Sequence, residues 1–599
     1  MNSKDRANLI KRISTIEGLT DNERSALLGL LRENKSYGLV WEDKPEDIEE
    51  RLRDELPILT EVPERAIISE DKDAPNHILI EGDNLETLAT LAYTHEGKID
   101  IIYIDPPYNT GNKDFIYNDS YVDKEDSYRH SKWLSFMSRR LKIAKKLLSD
   151  RGVIFISIDD NEQAQLKLLC DETFGENNFL SEIMWHKNYA SANDSKTFSK
   201  VLDYILAYRK TDKFIRNLLP RTEKQNTLYK YDSNDGKGKW RSDNLSVRTY
   251  SANYDFPIVN PITGVEYNPP KGRSWMTNKE RIQEWITETR VYFGLNGKGA
   301  PQLKRYLSEV QQGVVPTTYW SYDDCGHNDE ARKEIKDIFG QPPFDSPKPT
   351  RLLKQILRLG SNNESIILDF FAGSGTTLHA TMQLNSEDGG HRKCILVTNN
   401  ENNICEEVTY ERNRRVIQGY TNAKGEEVPG LIKNSLRYYR TGFVGRSRSM
   451  QNMRKLVNLA TDMLCIKEDL YTEQTTFGEQ KTHKGVFRYF DDGNKKMLII
   501  YREEVIDELV DIIYDMDVDQ PIKVYVFSPS EDPWEGSFED VSDKVELCAL
   551  PQAIYNTYRR ILPKKKDAVV MPEDDALATT EKEEEQFNGM LNFEYDEEA

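Results

Sequence analysis

The sequence predicts a doubly wound, mostly parallel α/β sheet interrupted by an irregular insertion, on three observations. First, "HILIEG", "IDIIYID" and "GVIFISI" are short Ile- and Val-rich runs without polar alternation, as strands buried on both faces require. Second, helical spacing fills the gaps between them, over about 84–95, 132–149 and 161–174, and that alternation favours parallel pairing. Third, the rhythm lapses between about 190 and 345. It then resumes with a helix at 350–359, the strand in "SIILDFFAGSGTT", the strand "KCILVT" and a helix at 406–418.

Each remaining stretch has its own reading. Residues 1–70 are charged, with helical apolar spacing in "LIKRISTIEGL" and "ERSALLGLLREN", and predict a helical N-terminal arm. Residues 71–190 and 346–440 form the two halves of the sheet domain, and "DYILAYRK" (203–210) is a further strand. Residues 191–345, rich in Gly, Asn, Pro and aromatic side chains, read as an inserted domain with a flanking strand. Residues 441–571 form a smaller α/β domain, and 572–599 are an acidic tail expected to be disordered.

Composition narrows the class. A chain of 599 residues exceeds one core, and 38% hydrophobic and 10% aromatic content suit a folded protein. No run reaches the roughly 18–20 apolar residues that cross a bilayer, and the start lacks the apolar core of a secretory signal. The six cysteines form no CxxC pair, so neither a zinc site nor a disulfide framework is indicated, and a cytoplasmic protein is expected. The net charge of -20 argues against a polyanionic partner, but the tail from Pro572 holds eleven acidic residues and one lysine, half of that total. By contrast, "RHSKWLSFMSRRLKIAKK" (129–146) carries seven Lys/Arg and no acid. On a helix, Trp133, Met137, Ala144 and Leu148 fall on one side and Lys132, Arg139, Lys142 and Lys146 on the other. That pattern is either a solvated face or a phosphate-contacting stripe.

Two turns carry chemistry. In "ILDFFAGSGTT" a strand ends at Asp369 and Gly373 and Gly375 follow in a tight turn that opens a helix. A P-loop needs a lysine after the glycines, which is missing. A dinucleotide loop needs a third glycine, where this chain has His379 and its neighbours. An FxGxG loop for S-adenosyl-L-methionine fits Phe371, Gly373 and Gly375, and a plain tight connection is the bland alternative. The second turn is "IDPPY". An exocyclic amino group is a poor nucleophile because its lone pair is delocalised into the ring. Two acceptors, the Asp105 carboxylate and the Pro106 carbonyl, favour a pyramidal nitrogen, and both Pro106 and Pro107 fix φ. Tyr108 offers a flat face for a base taken out of a duplex.

Together, DPPY at 105–108 and FAGSG at 371–375 resemble the amino-methylating DNA methyltransferases, with the catalytic motif first, as in the circularly permuted β class. "LIEGDNLETLATLAYTHEGKIDIIYIDPPYNTGNKDFIYND", "RHSKWLSFM" and "FDSPKPTRLLKQIL" further resemble the modification (Mod) subunits of type III restriction–modification systems. The resemblance implies a Rossmann-like sheet with a target-recognition domain at 191–345, and adenine-N6 methylation of double-stranded DNA. It also implies a homodimer and a separate restriction (helicase–nuclease) subunit. It assigns Asp105, Pro106, Pro107 and Tyr108 to the target base. It assigns Asp369, Phe371, Ala372, Gly373, Ser374 and Gly375 to the cofactor's methionine, and Lys348 to the motif that closes over the cofactor. Asp83 is placed near its adenine, unless it merely caps a helix, and Glu401 near its ribose, unless it is a solvated acid. Lys132, Arg139 and Lys142 on the basic helix, and Lys239, Trp240 and Arg241 with Lys230, Arg248 and Tyr250 in the insertion, are the expected DNA contacts. Rival readings are cytosine-N4 methylation, a stand-alone methyltransferase, an RNA substrate and a non-catalytic DNA-recognition subunit. No metal site is expected.

Overall fold

Ile- and Val-rich runs can lose both faces to solvent only inside a sheet covered by helices on each side, and the chain builds that arrangement. The computed structural model describes residues 39–118, 120–190, 195–311, 313–530 and 532–562. The chain divides into two compact units, residues 216–317 and the segments flanking them.

The larger unit holds a ten-stranded sheet: β1 (Glu55–Glu61), β2 (Asn76–Glu81), β3 (Ile99–Ile104), β4 (Leu148–Ile158), β5 (Phe179–His186), β6 (Leu202–Arg209), β7 (Tyr319–Trp320), β8 (Ile366–Asp369), β9 (Lys393–Thr398) and β10 (Ser435–Gly445). Across the sheet the order is β1-β10-β2-β9-β8-β3-β4-β6-β5-β7. From β10 to β4 all neighbours are parallel, while β1 is antiparallel at one edge and β6 is antiparallel to β4 and β5. The late strand β8 lies directly beside the early strand β3, with Ile367 opposite Ile101 and Leu368 opposite Ile102. Their C-terminal turns therefore leave the sheet side by side, about 5 Å apart at the strand axes.

Successive residues of β3 face opposite ways. Ile102 joins a cluster with Leu88 of α2 (Asn84–His95), Trp133 of α3 (Arg129–Leu147) and Leu166 of α4 (Gln163–Phe174). Ile101 meets Gly360 at the end of the helix Thr350–Gly360 on the other face, where a Cβ would lie 2.8 Å from the Ile101 Cδ1. Full burial of each such Ile or Leu is worth roughly 1.5–3 kcal/mol, so the two layers account for most of this unit's cohesion. The glycine turn after β8 opens the helix Thr376–Asp388, and a π-helical turn, Ile404–Tyr410, leads into the helix Glu411–Gln418.

Several expectations change. Residues 55–61 are not part of a helical arm but the edge strand β1. Leu56, Ile58 and Leu59 are buried, and Pro57 is tolerated because β1 has only one neighbour. The helix α1 (Asp47–Asp54) is the arm's described helix, and residues 1–38 lie outside the described residues. Strands β6 and β7 and the helix Asn328–Phe339 belong to the larger unit, so the separate insertion is 216–317 rather than 191–345. Strand β10 runs through the boundary expected at 440, and the C-terminal region shares the main core through Met453, Leu456, Phe490, Tyr525 and Tyr558. The Tyr558 hydroxyl donates to the Pro57 carbonyl at 2.5 Å. The acidic tail lies outside the described residues. Among the described residues no helix is long and apolar enough to cross a membrane.

The insertion has its own core, formed by Leu245, Ile258, Trp275, Ile282, Val291, Phe293 and Leu303. A three-stranded antiparallel sheet of Trp240–Asn244, Val291–Tyr292 and Gln302–Tyr306 organises it.

Candidate active site

Strand β3 delivers Asp105 at its C-terminal end, and the two prolines turn the chain at once. The corner is anchored from behind: the Trp133 indole N–H of α3 donates to the Pro107 carbonyl at 2.7 Å. Asn109 continues in the left-handed region at φ 56°, a conformation Asn tolerates better than most residues. Its amide donates to Glu162 Oε1 at 2.5 Å. Glu162 has no exposed surface, and burial pushes its carboxyl up to about 8. Burial also lowers His130, whose Nδ1 lies 2.7 Å from the same oxygen.

Both oxygens of Asp105 have partners. The Tyr108 hydroxyl donates to Oδ1 at 2.9 Å, and the Lys348 ammonium donates to Oδ2 at 2.5 Å while sitting 5.3 Å from the Tyr108 ring centroid. Lys348, expected over the cofactor beside the glycine turn, lines the same cleft as Gly373, with its ammonium on the Asp105 carboxylate. Burial and the nearby Asp105 and Asp203 charges raise the Tyr108 phenol well above its ordinary range, so it stays a donor. Among the described residues no donor reaches the Pro106 carbonyl.

The glycine turn is built differently. Asp369 is 2% exposed and points inward: Oδ1 accepts from the Phe371 N–H at 3.0 Å and Oδ2 from the Thr377 hydroxyl at 2.5 Å. Burial raises it to about 7. The Thr409 hydroxyl donates to the Gly373 carbonyl at 2.6 Å, and the buried Arg412 guanidinium donates to Ser374 and Thr376. Gly375 sits at φ +72°, where a Cβ would lie 2.5 Å from Asn413 Nδ2. Thus, of the residues expected at the cofactor, Asp369, Ser374 and the Gly375 carbonyl are engaged within the turn or by the side chains behind it, and Ala372 is buried. Phe371 and Gly373 face the cleft.

That cleft, about 1130 Å³, is lined by Asp105, Tyr108, Phe344, Lys348, Phe371 and Gly373, with Asp83 and Glu401 further along its wall. Asp83 does both things considered for it. Its Oδ1 accepts from the Leu85 N–H at 2.7 Å, capping α2, yet its side chain stays 39% exposed in the cleft, 3.6 Å from Arg140. Arg140, on the basic helix but 1% exposed, also bonds Glu46 and Asn84. The aromatic rings, the bare backbone at Gly373 and the Asp83 and Glu401 carboxylates on its wall suit a cofactor that combines a cation, a sugar and a purine. Among the described residues no cluster could hold a metal ion.

The basic stripe is less open than its sequence implies. Lys132 pairs with Asp126 at 2.7 Å and Arg139 with Glu49 at 2.7 Å, while Lys142 is exposed. The charged end of α3 lies at the N-terminal edge of the sheet, away from Asp105: the Lys146 carbonyl accepts from Gly97 just before β3. In the insertion, Trp240 is 4% exposed and stacks with Tyr231 at 4.8 Å, so it is core rather than a DNA contact. Arg241 is half-buried near Tyr229, and Lys239, Arg248 and Tyr250 are exposed. Sequence reasoning missed Asp203, Lys187 and Phe344. The one signal for Asp203 was an acid heading an otherwise apolar strand.

A crevice at the C-terminal ends of parallel strands, with a glycine turn beside an acidic corner, defines a doubly wound α/β protein with its ligand crevice at the strand ends. More narrowly, the chain belongs to the DNA methylase family, whose profile matches residues 99–411. It is 40% identical over 360 residues to the type III restriction–modification enzyme StyLTI Mod subunit of Salmonella typhimurium, covering 56% of this chain and 54% of that one. It is 35% identical over 373 residues to the type II methyltransferase M.KpnI of Klebsiella pneumoniae, covering 58% of this chain and 87% of that one. Alignment with the PvuII DNA methyltransferase (cytosine-N4-specific) covers 60% of this chain and 98% of that structure, at 13% identity and a TM-score of 0.30. The chain thus matches about half the length of the StyLTI subunit.

Proposed function

We propose that this protein methylates adenine N6 within a short recognition sequence of double-stranded DNA, as the modification subunit of a type III restriction–modification system. The observation that carries the reading is the register of β3 against β8, which brings the DPPY corner and the FxGxG turn into one cleft. Bound there, S-adenosyl-L-methionine would supply an electrophilic methyl group on its sulfonium. Phe371 and Gly373 would line its methionine portion, with Asp83 and Glu401 toward adenosine. Asp105 and the Pro106 carbonyl accept the two N–H bonds of the target amino group, and the Tyr108 face stacks on the extruded base. So held, the amino nitrogen would have its lone pair free to take the sulfonium methyl, leaving a thioether and releasing one N–H proton to solvent. Positioning and preorganised acceptors do most of the work.

The likeness to a type III Mod subunit supports adenine as the target and a separate restriction subunit as partner. The unit 216–317, with Lys239, Arg248 and Tyr250 exposed, is the candidate for reading sequence, and a homodimer is the assembly to test by light scattering. One experiment tests the core reading. Long-read sequencing of DNA from expressing cells should show N6-methyladenine at one sequence context, absent with Asp105→Ala. Modified cytosine, no modification with purified protein on DNA, or equal modification by the variant would overturn it.

A further inference from the structure

Tyr108 has one hydroxyl proton and two carboxylates within reach. Asp105 Oδ1 takes it at 2.9 Å, and Asp203 Oδ2 lies 3.5 Å away on the same edge of the ring. Asp203 comes from the start of β6, is 3% exposed, and is held by the Lys187 ammonium of the β5 end at 2.7 Å. A polar group so buried at the floor of a cleft, with its second oxygen turned to a phenol, is not explained by the sheet. The contact set shown is closed on itself. Asp105 is occupied by Tyr108 and Lys348, yet the proposed reaction needs that carboxylate as an acceptor for an incoming amino group.

We propose that Asp203, oriented by Lys187, is a positioning residue that receives the Tyr108 hydroxyl when Asp105 turns to the target amino group. This rests on the methyltransferase reading. Asp105 Oδ1 has two lone pairs, but a phenol donating to it draws off its charge and crowds an amino N–H arriving at the same oxygen. A second carboxylate on the same edge lets the hydroxyl swing between partners while the ring plane stays fixed for stacking. Burial raises the Asp203 carboxyl, Lys187 and Lys348 pull it back, and the phenol remains protonated throughout. With a neutral amide at 203 the phenol would stay on Asp105, weakening the acceptor that orients the nitrogen.

The test is a double-mutant cycle on DNA carrying the mapped site. Asp203→Asn is expected to lower kcat about ten- to hundredfold, the range for one charged hydrogen bond, with KM for DNA and cofactor within about twofold. Asp203→Glu should recover part of the loss. In a Tyr108→Phe background, which lacks the hydroxyl, Asp203→Asn should change kcat less than about twofold, since coupled residues are non-additive. Where Tyr108→Phe turns over too slowly to follow, the same cycle is read from 2-aminopurine fluorescence at the target position. Asp203→Asn should shift that signal with Tyr108 present and leave it unchanged with Phe. An equal effect in both backgrounds, no effect in the parent, or a variant that fails to fold while Asp203→Glu shows no rescue would each overturn the proposal. A parent protein without transfer would instead overturn the methyltransferase reading.

Discussion

The corner at 105–108 and the turn at 369–375 occupy equivalent places, at the ends of neighbouring parallel strands, and are stiffened by opposite means. The corner is rigid through its own covalent chemistry: two prolines fix φ, and polar atoms face the cleft. The turn uses the most permissive residue type twice and borrows its rigidity from Thr409, Arg412 and Asn413 behind it. Functional groups are therefore on the surface of the first and largely hidden in the second. Substitutions should separate the two, acting on rate at the corner and on cofactor affinity at the turn.

The largest expected effect is at the corner. Asp105→Ala removes the carboxylate acceptor while leaving both prolines and the Trp133 anchor, so binding should persist as kcat falls. By analogy with deleting one preorganised electrostatic contact, the loss should be about 10²–10³-fold, or roughly 3–4 kcal/mol. Cofactor KM is expected to hold within about twofold. A rise in KM with kcat retained would show that Asp105 serves affinity, erasing the contrast with the turn.

Next comes the support beneath the corner. Glu162 titrates at about 8 when folded against an ordinary 4.5, because burial disfavours its charged form. The folded state therefore holds this proton more tightly than the unfolded one. Its stabilising contribution is complete below about pH 4.5 and disappears as pH climbs toward 8. Glu162→Gln keeps a neutral group on Asn109 and should remove that slope, making the variant the more stable of the two at pH 8 by on the order of 2–3 kcal/mol after relaxation of the site. Melting temperatures at pH 5, 6.5 and 8 check this. Parallel curves for both proteins would mean the carboxylate ionises freely.

How much of this was legible in the sequence follows from the same contrast. Strand β3, the DPPY corner, strand β8 and the FxGxG turn are local patterns, and each appears where periodicity and turn residues put it. What holds them is not local. Lys348 reaches Asp105 across 243 positions, and Tyr108 meets Asp203 across 95, separations that no periodic pattern encodes. Arg140 looked like one more cation of a basic helix, but three-dimensional packing turns it inward onto Glu46 and Asn84. Trp240 shows the reverse error. Basic neighbours made it resemble a base contact, whereas a short antiparallel sheet needed a large apolar ring for its core. Strand β1 was masked by flanking charge, though Pro57 in "ELPILTE" was a usable sign of an edge strand.

At the turn itself, Gly375→Ala tests borrowed rigidity. The position lies at φ +72°, and the added methyl would meet Asn413 and Thr409. Strain and displacement together should cost about 1–2 kcal/mol. They should raise cofactor KM roughly tenfold, with kcat at saturation nearly unchanged, since the acceptors for the amino group sit on another strand. Initial-rate kinetics with varied cofactor separate the two parameters. A kcat loss as large as that of Asp105→Ala would make corner and turn a single functional element.

The smallest effect expected is the most discriminating. Thr409→Val replaces a buried hydroxyl by a methyl of similar size and deletes the donor to the Gly373 carbonyl. Losing one neutral hydrogen bond costs about 1 kcal/mol. Gly373, unlike Pro106, has no ring to keep its backbone in place, so losing the donor behind its carbonyl should let Gly373 and the nearby Phe371 drift at the cleft wall. Cofactor affinity should fall about fivefold, thermal stability should drop slightly, and kcat at saturating cofactor should not move. If affinity also stays constant, the glycine turn is self-supporting like the proline corner, and its rigidity comes from the strand end at Asp369 rather than from the helix behind it.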